Sequence, residues 1–119
     1  MEEYSKTILE EINISSAFAE WSIDLVKYGL TKNIIEIGCG IGRNLIHIQK
    51  ISNNLSATDF NCEYLKNVES QFPGMRNKLF EWNLNEQFTM DINADSFFCS
   101  NVIEHIKYDS LAISNISKI

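Results

Sequence analysis

Asn33-Ile34-Ile35-Glu36-Ile37-Gly38-Cys39-Gly40-Ile41-Gly42 is the stretch that decides the fold. Its first five residues are short, branched and apolar apart from Asn33 and Glu36, which predicts a buried strand. Gly38 and Gly40 then let the chain turn sharply and lie against a ligand with no Cβ between them. Gly42 opens a helix of about residues 42–51, with Leu45, Ile48 and Ile51 inward. Glycines at this spacing also occur in loops that only pack. Their place between a strand and a helix is what a nucleotide cradle requires.

The same alternation continues outward. Leu55-Ser56-Ala57-Thr58-Asp59 predicts a second strand. Asn61 is placed to cap a helix carrying Tyr64, Leu65, Val68 and Phe72, which Pro73-Gly74 ends. Lys78–Trp82 is a weaker third strand and Ser96–Ser100 a fourth. Asp109 is placed to cap a last helix carrying Leu111, Ala112, Ile116 and Ile119. Upstream, one helix is expected over about residues 3–12, with Ile8, Leu9 and Ile12 on one side. A second has Ile14, Phe18, Trp21, Leu25 and Tyr28 on one face, with Ser15 or Ser16 capping it and Gly29 ending it in a left-handed turn. Strands that alternate with helices predict a parallel sheet with helices on both faces, whose ligands bind beyond the carboxyl ends of the strands. The whole chain, 1–119, reads as one domain: N-terminal helices over 1–32, then βα units over 33–119.

Composition narrows the function. The chain has 119 residues, 45% hydrophobic, and one proline, which suits one globular domain with a modest core. A net charge of -6 with no Lys/Arg run argues against nucleic acid or an anionic membrane as partner. Cys39, Cys62 and Cys99 are too dispersed for a zinc site or a disulfide framework, so no metal is expected. All three are expected to be free thiols in or beside apolar segments, and a cytoplasmic location fits. The acidic start carries no signal-peptide pattern, and no apolar run approaches membrane-spanning length. His47, in the helix after the glycine loop, is expected at the surface, and Trp21 and Trp82 in the core or a pocket wall.

Asp59 closes the second strand, 21 residues after Gly38, where a carboxylate suits a ribose diol. The competing reading is a solvated loop acid or a cap. A nicotinamide-type dinucleotide would need G-x-G-x-x-G, but Arg43 holds the last place. A pyrophosphate would also be repelled by Glu36, and about 32 residues precede the first strand, more than such domains often have.

The stretch Glu36–Gly42 resembles the E/D-x-G-x-G-x-G motif of class I S-adenosylmethionine-dependent methyltransferases. Ala57-Thr58-Asp59-Phe60-Asn61 is similar to the family's second-strand acidic motif. Asp95–Ile106 resembles its fourth strand and the "L-E-H-V" signature after it. The resemblance covers about residues 33–119. It implies a Rossmann-like α/β sandwich with strand order 3-2-1-4 and S-adenosylmethionine as cofactor. That molecule is cationic at its sulfonium and ammonium and has no phosphate, which suits Glu36.

The resemblance also implies roles for single residues. Gly38, Cys39 and Gly40 would line the methionine part through backbone groups. Glu36 would anchor the loop or reach the amino group through water. Asp59 would hold the ribose hydroxyls and Phe60 would pack on adenine. Asn83 would bond the adenine amine through its carbonyl, although Asn85 lies close by. Ser100 would offer its carbonyl to the ammonium. His105 is the candidate general base, since an imidazole titrates near neutral pH. The preferred reading makes Glu104-His105 a structural turn bordering the pocket.

The family fold has about seven strands, and four are read here. The chain is thus expected to be truncated relative to that fold, lacking its C-terminal strands. Phe97-Phe98-Cys99 would then form an open apolar edge that pairs with something. Three readings follow: part of a longer enzyme; one half of an assembly, completed by dimerisation or another chain at that edge; or a non-catalytic pseudo-methyltransferase. Ser100-Asn101-Val102-Ile103 is not the N/D-P-P-Y motif of enzymes that methylate nucleic-acid amines. With the acidic charge, this favours a small-molecule acceptor.

Overall fold

The computed structural model describes residues 16–30, 32–52 and 54–119. The helix expected over 3–12, and Ile14 and Ser15, lie outside the described residues. Residues 16–26 are helical (α1) and run into a 3₁₀ turn at Lys27–Gly29. Strand β1 (Asn33–Ile37) follows, then α2 (Leu45–Ile48), β2 (Asn54–Asp59), α3 (Cys62–Gln71), β3 (Leu79–Glu81), β4 (Ser96–Cys99) and α4 (Asp109–Ser117). All strand pairs are parallel and their order is β3-β2-β1-β4. This is the α/β Rossmann-like sheet that the sequence predicts.

Side-chain alternation divides the sheet into two faces. Ile34, Glu36, Leu55, Ala57 and Phe98 share one face, because Ile34 pairs with Leu55 and Glu36 with both Ala57 and Phe98. On it, Ile34, Leu55, Ala57 and Phe98 pack with Ile23 of α1, Leu45 and Ile48 of α2, and Leu65 and Val68 of α3. Full burial of such a side chain contributes about 1.5–3 kcal/mol. Ile37 faces the other way and packs with Trp82, Leu84 and Ala112 of α4, beside Ile116. Helices therefore cover both faces. Asn115 fixes α4 to the loop after β3, its Nδ2 donating to the Leu84 carbonyl at 2.8 Å.

The local structure departs from expectation at several points. On α1 the buried residues are Ala19 and Ile23, one turn apart. Phe18 and Trp21 are 56% and 57% exposed, and Leu25 and Tyr28 are exposed too. Small Ala19 lets the helix come close to the sheet, so the aromatic stripe turns outward and Phe18 packs on Trp21, ring centroids 5.7 Å apart. Gly29 has no positive φ; the helix ends through the 3₁₀ turn instead. Helix α2 is shorter than 42–51 because Gly42 sits at φ +88, which keeps the loop turning as far as Asn44. Ile51 is exposed, but helical hydrogen bonds run on to Ser52. Asp109 lies inside the first turn of α4, after the cap position at Tyr108, and accepts from the Ser110 amide at 2.7 Å.

His47 is buried, not at the surface, and neither ring nitrogen has a hydrogen-bond partner. Its position between buried Leu45 and Ile48 on a single helical turn carries it inward. Of the three free cysteines only Cys39 is buried; Cys62 and Cys99 are exposed, Cys62 on the outer side of α3 and Cys99 on the edge strand.

Candidate functional site

Each strand delivers one loop to the same end of the sheet. The first is the glycine loop. Gly38 sits at φ +72, and a Cβ there would lie 2.4 Å from Cγ2 of Val102, so both backbone conformation and space demand glycine. At Gly42, φ +88, a Cβ would meet Phe72 at 3.1 Å, which ties this glycine to packing against α3. The Cys39 amide donates to the Thr58 carbonyl and the Gly42 amide to the Cys39 carbonyl, at 2.9 and 3.0 Å. The loop is thereby locked to the end of β2.

Asp59 is the centre of that lock. Its Oδ2 accepts from the Gly40 amide and its Oδ1 from the Asn61 amide, both at 2.9 Å. One N–H on each oxygen leaves acceptor capacity on both, as two ribose hydroxyls need. Asn61 also caps α3, its side chain accepting from the Glu63 amide at 3.0 Å. Asp59 is therefore the end of β2 and the hinge into α3; it is buried rather than solvated, and the cap of α3 is Asn61, not Asp59.

A cavity of about 440 Å³ opens above these groups. Its wall includes Gly38, Asp59, Phe60, Asn83 and His105, so four loops contribute. Tyr64, Trp82, Leu84, Val102 and Ile106 supply apolar surface, a lining suited to an adenine ring. The volume falls within the ordinary range for small-ligand sites. Phe60 is largely exposed at the mouth. The Asn83 carbonyl already accepts from the Asn85 amide at 3.0 Å, which leaves it one lone pair and two N–H donors. His105 ends the 3₁₀ turn Ile103–His105 and is exposed, its Nε2 3.7 Å from the Glu104 carboxyl.

Glu36, Cys39, Gly40 and Ser100 do not line this cavity. Ser100 lines a second one, about 350 Å³, with Phe18, Ala19, Ser22, Arg43, Asn44 and Asn101. Asn101 borders both cavities and holds φ +57, the one non-glycine at positive φ among the described residues. Sequence reasoning missed it, although Asn is the residue that most readily adopts this conformation outside glycine. It also missed Asn44, which bonds Glu36 and lines the second cavity, and Val102, which packs against Gly38 and lines the first.

Glu36 is 1% exposed. Its Oε1 accepts from Asn44 Nδ2 at 3.2 Å, and its Oε2 has no partner. Burial pushes this carboxyl up to about 8; the Asn44 hydrogen bond opposes the shift and the nearby Asp59 charge adds to it. Burial, with the nearby carboxyl charges, also pushes the Cys39 thiol up to about 12, and the partial burial of Cys99 on the edge strand pushes it up to about 11. No three His, Cys, Asp or Glu side chains gather as a metal site among the described residues, and no helix there is long and apolar enough to cross a membrane. The groups gathered at this end of the sheet fit S-adenosylmethionine: two buried carboxyls, a glycine loop of bare backbone and an apolar slot.

Solved structures share this fold. DesVI of Streptomyces venezuelae superposes with a TM-score of 0.70 at 15% identity, over 97% of this chain and 50% of that one. Magnesium protoporphyrin IX methyltransferase of Synechocystis, crystallised with bound SAH, gives 0.70 at 12% identity, over 93% and 54%. An amino pentose methyltransferase of Micromonospora echinaspora, with SAM bound, gives 0.66 at 14% identity, over 99% and 51%. The chain thus spans about half the length of these structures, and at such identities the likeness is one of fold. No curated protein matches the sequence. The Methyltransferase domain family, however, matches residues 35–119, from β1 through α4, and the chain belongs to that family.

Proposed function

We propose that this chain binds S-adenosylmethionine and forms the cofactor half of a methyltransferase acting on a small molecule. One observation carries the proposal: the Asp59 carboxylate, buried at the cavity wall, is held by the Gly40 and Asn61 amides with acceptor capacity left on each oxygen. The neighbours that were solved with SAM or SAH support the choice of ligand.

When bound, the cofactor supplies a methyl group activated for in-line displacement. The chain's own part is to hold and orient it. Asp59 takes the ribose hydroxyls, and the backbone of Gly38, Cys39 and Gly40 faces the methionine part. Phe60 would pack on adenine, and Asn83 would bond its amine. The Ser100 carbonyl takes the ammonium from the side of the second cavity. Trp82, Leu84 and Val102 exclude water from the slot, and that dry surface strengthens every polar contact made there. His105 borders the mouth as a turn residue and acts as a base only where an acceptor needs one. A net charge of -6 favours a small molecule over a polyanion as acceptor. Three free thiols suit a reducing cytoplasm.

Calorimetry with S-adenosylhomocysteine tests the reading. The chain should bind it, and Asp59→Ala should weaken binding at least tenfold. A well-folded chain that binds nothing would refute the cofactor assignment. Binding without methyl transfer to any acceptor would favour the pseudo-enzyme reading.

The half-assembly reading has its own support. Strand β4 forms one edge of the sheet, with Phe97 37% exposed beside exposed Cys99, an edge of the kind that recruits another strand. Light scattering should then show a dimer or a bound partner; a strict monomer at high concentration counts against it.

A further inference from the structure

Glu36 presents an unsolved problem in electrostatics. It stands on the core face of β1, in register with Ala57 and Phe98, where its neighbours on the strand are Ile35 and Ile37. A buried polar oxygen without a partner is uncommon and calls for an explanation. Oε2 is such an atom, and among the described residues the partner of Oε1 is the neutral amide of Asn44. Among the described residues, the ionisable groups coupled to Glu36 are Asp59 on β2, Cys39 in the loop and Cys99 on β4. None of these three is a cation, and Asn44, at the cap position before α2, supplies only a neutral amide. An acid in such a place stays neutral until positive charge arrives.

Resting on the proposal that the site takes S-adenosylmethionine, we infer that Glu36 reads the positive charge of the ligand: neutral in the empty site, it gives up its proton when a cation settles against the Gly38–Gly40 backbone. A unit cation within about 5 Å shifts a buried carboxyl's proton equilibrium by about two orders of magnitude. For a carboxyl raised to about 8, that suffices to ionise it near pH 7. The demethylated ligand has lost the sulfonium charge. Glu36 then takes a proton back, and the site holds the spent ligand less tightly than the fresh one. Glu36 is on this account a specificity-determining residue. It discriminates charge at the sulfur, which no hydrogen bond to ribose or adenine can do.

The test is calorimetry at pH 7.0 in two buffers of different ionisation enthalpy, with S-adenosylmethionine and S-adenosylhomocysteine as ligands. The chain should release close to one proton on binding the first and distinctly less on binding the second. From pH 6 to pH 8 its preference for the charged ligand should rise more than tenfold. Glu36→Gln should abolish both the proton release and that rise, while leaving the ligands' own amino groups to titrate as before. The wild-type pH profile stands as evidence even if the variant folds poorly. Binding of both ligands with equal proton exchange and a flat preference would overturn the inference and leave the cofactor assignment intact. Failure of both ligands to bind would overturn the two together.

Discussion

The ends of β1 and β2 carry two buried carboxyls, near enough that the Asp59 charge acts on Glu36, yet they are treated in opposite ways. At the end of β2, both oxygens of Asp59 receive backbone N–H groups. At the end of β1, Glu36 receives one neutral side-chain donor and keeps an orphaned oxygen. The cause is position within the strand. Asp59 is the last residue of β2, so the backbone beyond it is free to curl back and the Asn61 amide reaches it two residues on. Glu36 lies one residue inside β1, flanked by ladders to β2 and β4, where backbone amides are committed to the sheet. One acid is thus held by backbone donors on both of its oxygens. The other is kept neutral until charge arrives. A carboxyl's role here follows from which strand position it holds, more than from being acidic.

The largest effect on this contrast should come from Gly38→Ala. The new Cβ would press on Val102 and force alanine to φ +72. Moving the loop would pull the Gly40 amide off Asp59, so the well-supported acid would come to resemble the orphaned one. S-adenosylhomocysteine affinity should fall a hundredfold or more, with a clear drop in melting temperature. Adding Val102→Ala should restore part of the melting temperature, since it removes the clash but not the backbone strain of about 1 kcal/mol.

Next in size is the pH dependence of Glu36 in the ligand-free chain. Its folded value, about 8, lies above the ordinary 4.5, so the unfolded state loses its proton first. The stability associated with it is complete below pH 4.5, falls by up to about 1.4 kcal/mol per pH unit between 4.5 and 8, and levels off above 8. Glu36→Gln should remove that slope. Its melting temperature should overtake the wild type's by a margin that widens from pH 5 to pH 8. A constant margin would show that Glu36 is already ionised in the empty site.

His47 offers a second orphan with nothing to receive. It sits on α2 beside Leu45 and Ile48, and neither nitrogen is paired. His47→Leu should raise stability by about 1–2 kcal/mol, the desolvation cost of an unpaired polar group, with ligand affinity unchanged. A loss of stability in thermal melts would mean that the imidazole has a role this packing does not reveal.

What could be read in the sequence follows the same divide between backbone and side-chain logic. β1, the glycine loop, Asp59 and the cap at Asn61 were legible because each rests on local chain geometry: a branched run, a positive φ, a short side chain that bonds its own backbone. The strand order came from family resemblance and is present in the pairing. The facing of α1 was misread because periodicity finds an apolar stripe without saying which stripe meets the sheet. Ala19 and Ile23 won by size, and Phe18 and Trp21 were left outside. His47 and Glu36 were misjudged or underspecified for a related reason. A polar residue's burial depends on partners distant in sequence, here Ala57 and Phe98 for Glu36.

The smallest effect tests how separable the support of Asp59 is. Asn61 does two things: its side chain caps α3 through the Glu63 amide, and its backbone amide serves Asp59. Asn61→Ala deletes the first and keeps the second. Loss of such a cap costs about 1 kcal/mol, so the melting temperature should fall by a few degrees while S-adenosylhomocysteine affinity stays within about twofold. If affinity fell as far as in Asp59→Ala, the cap itself would be holding the loop. The carboxylate would then depend on the start of α3 staying helical, and the contrast with Glu36 would rest on a helix end rather than on strand position.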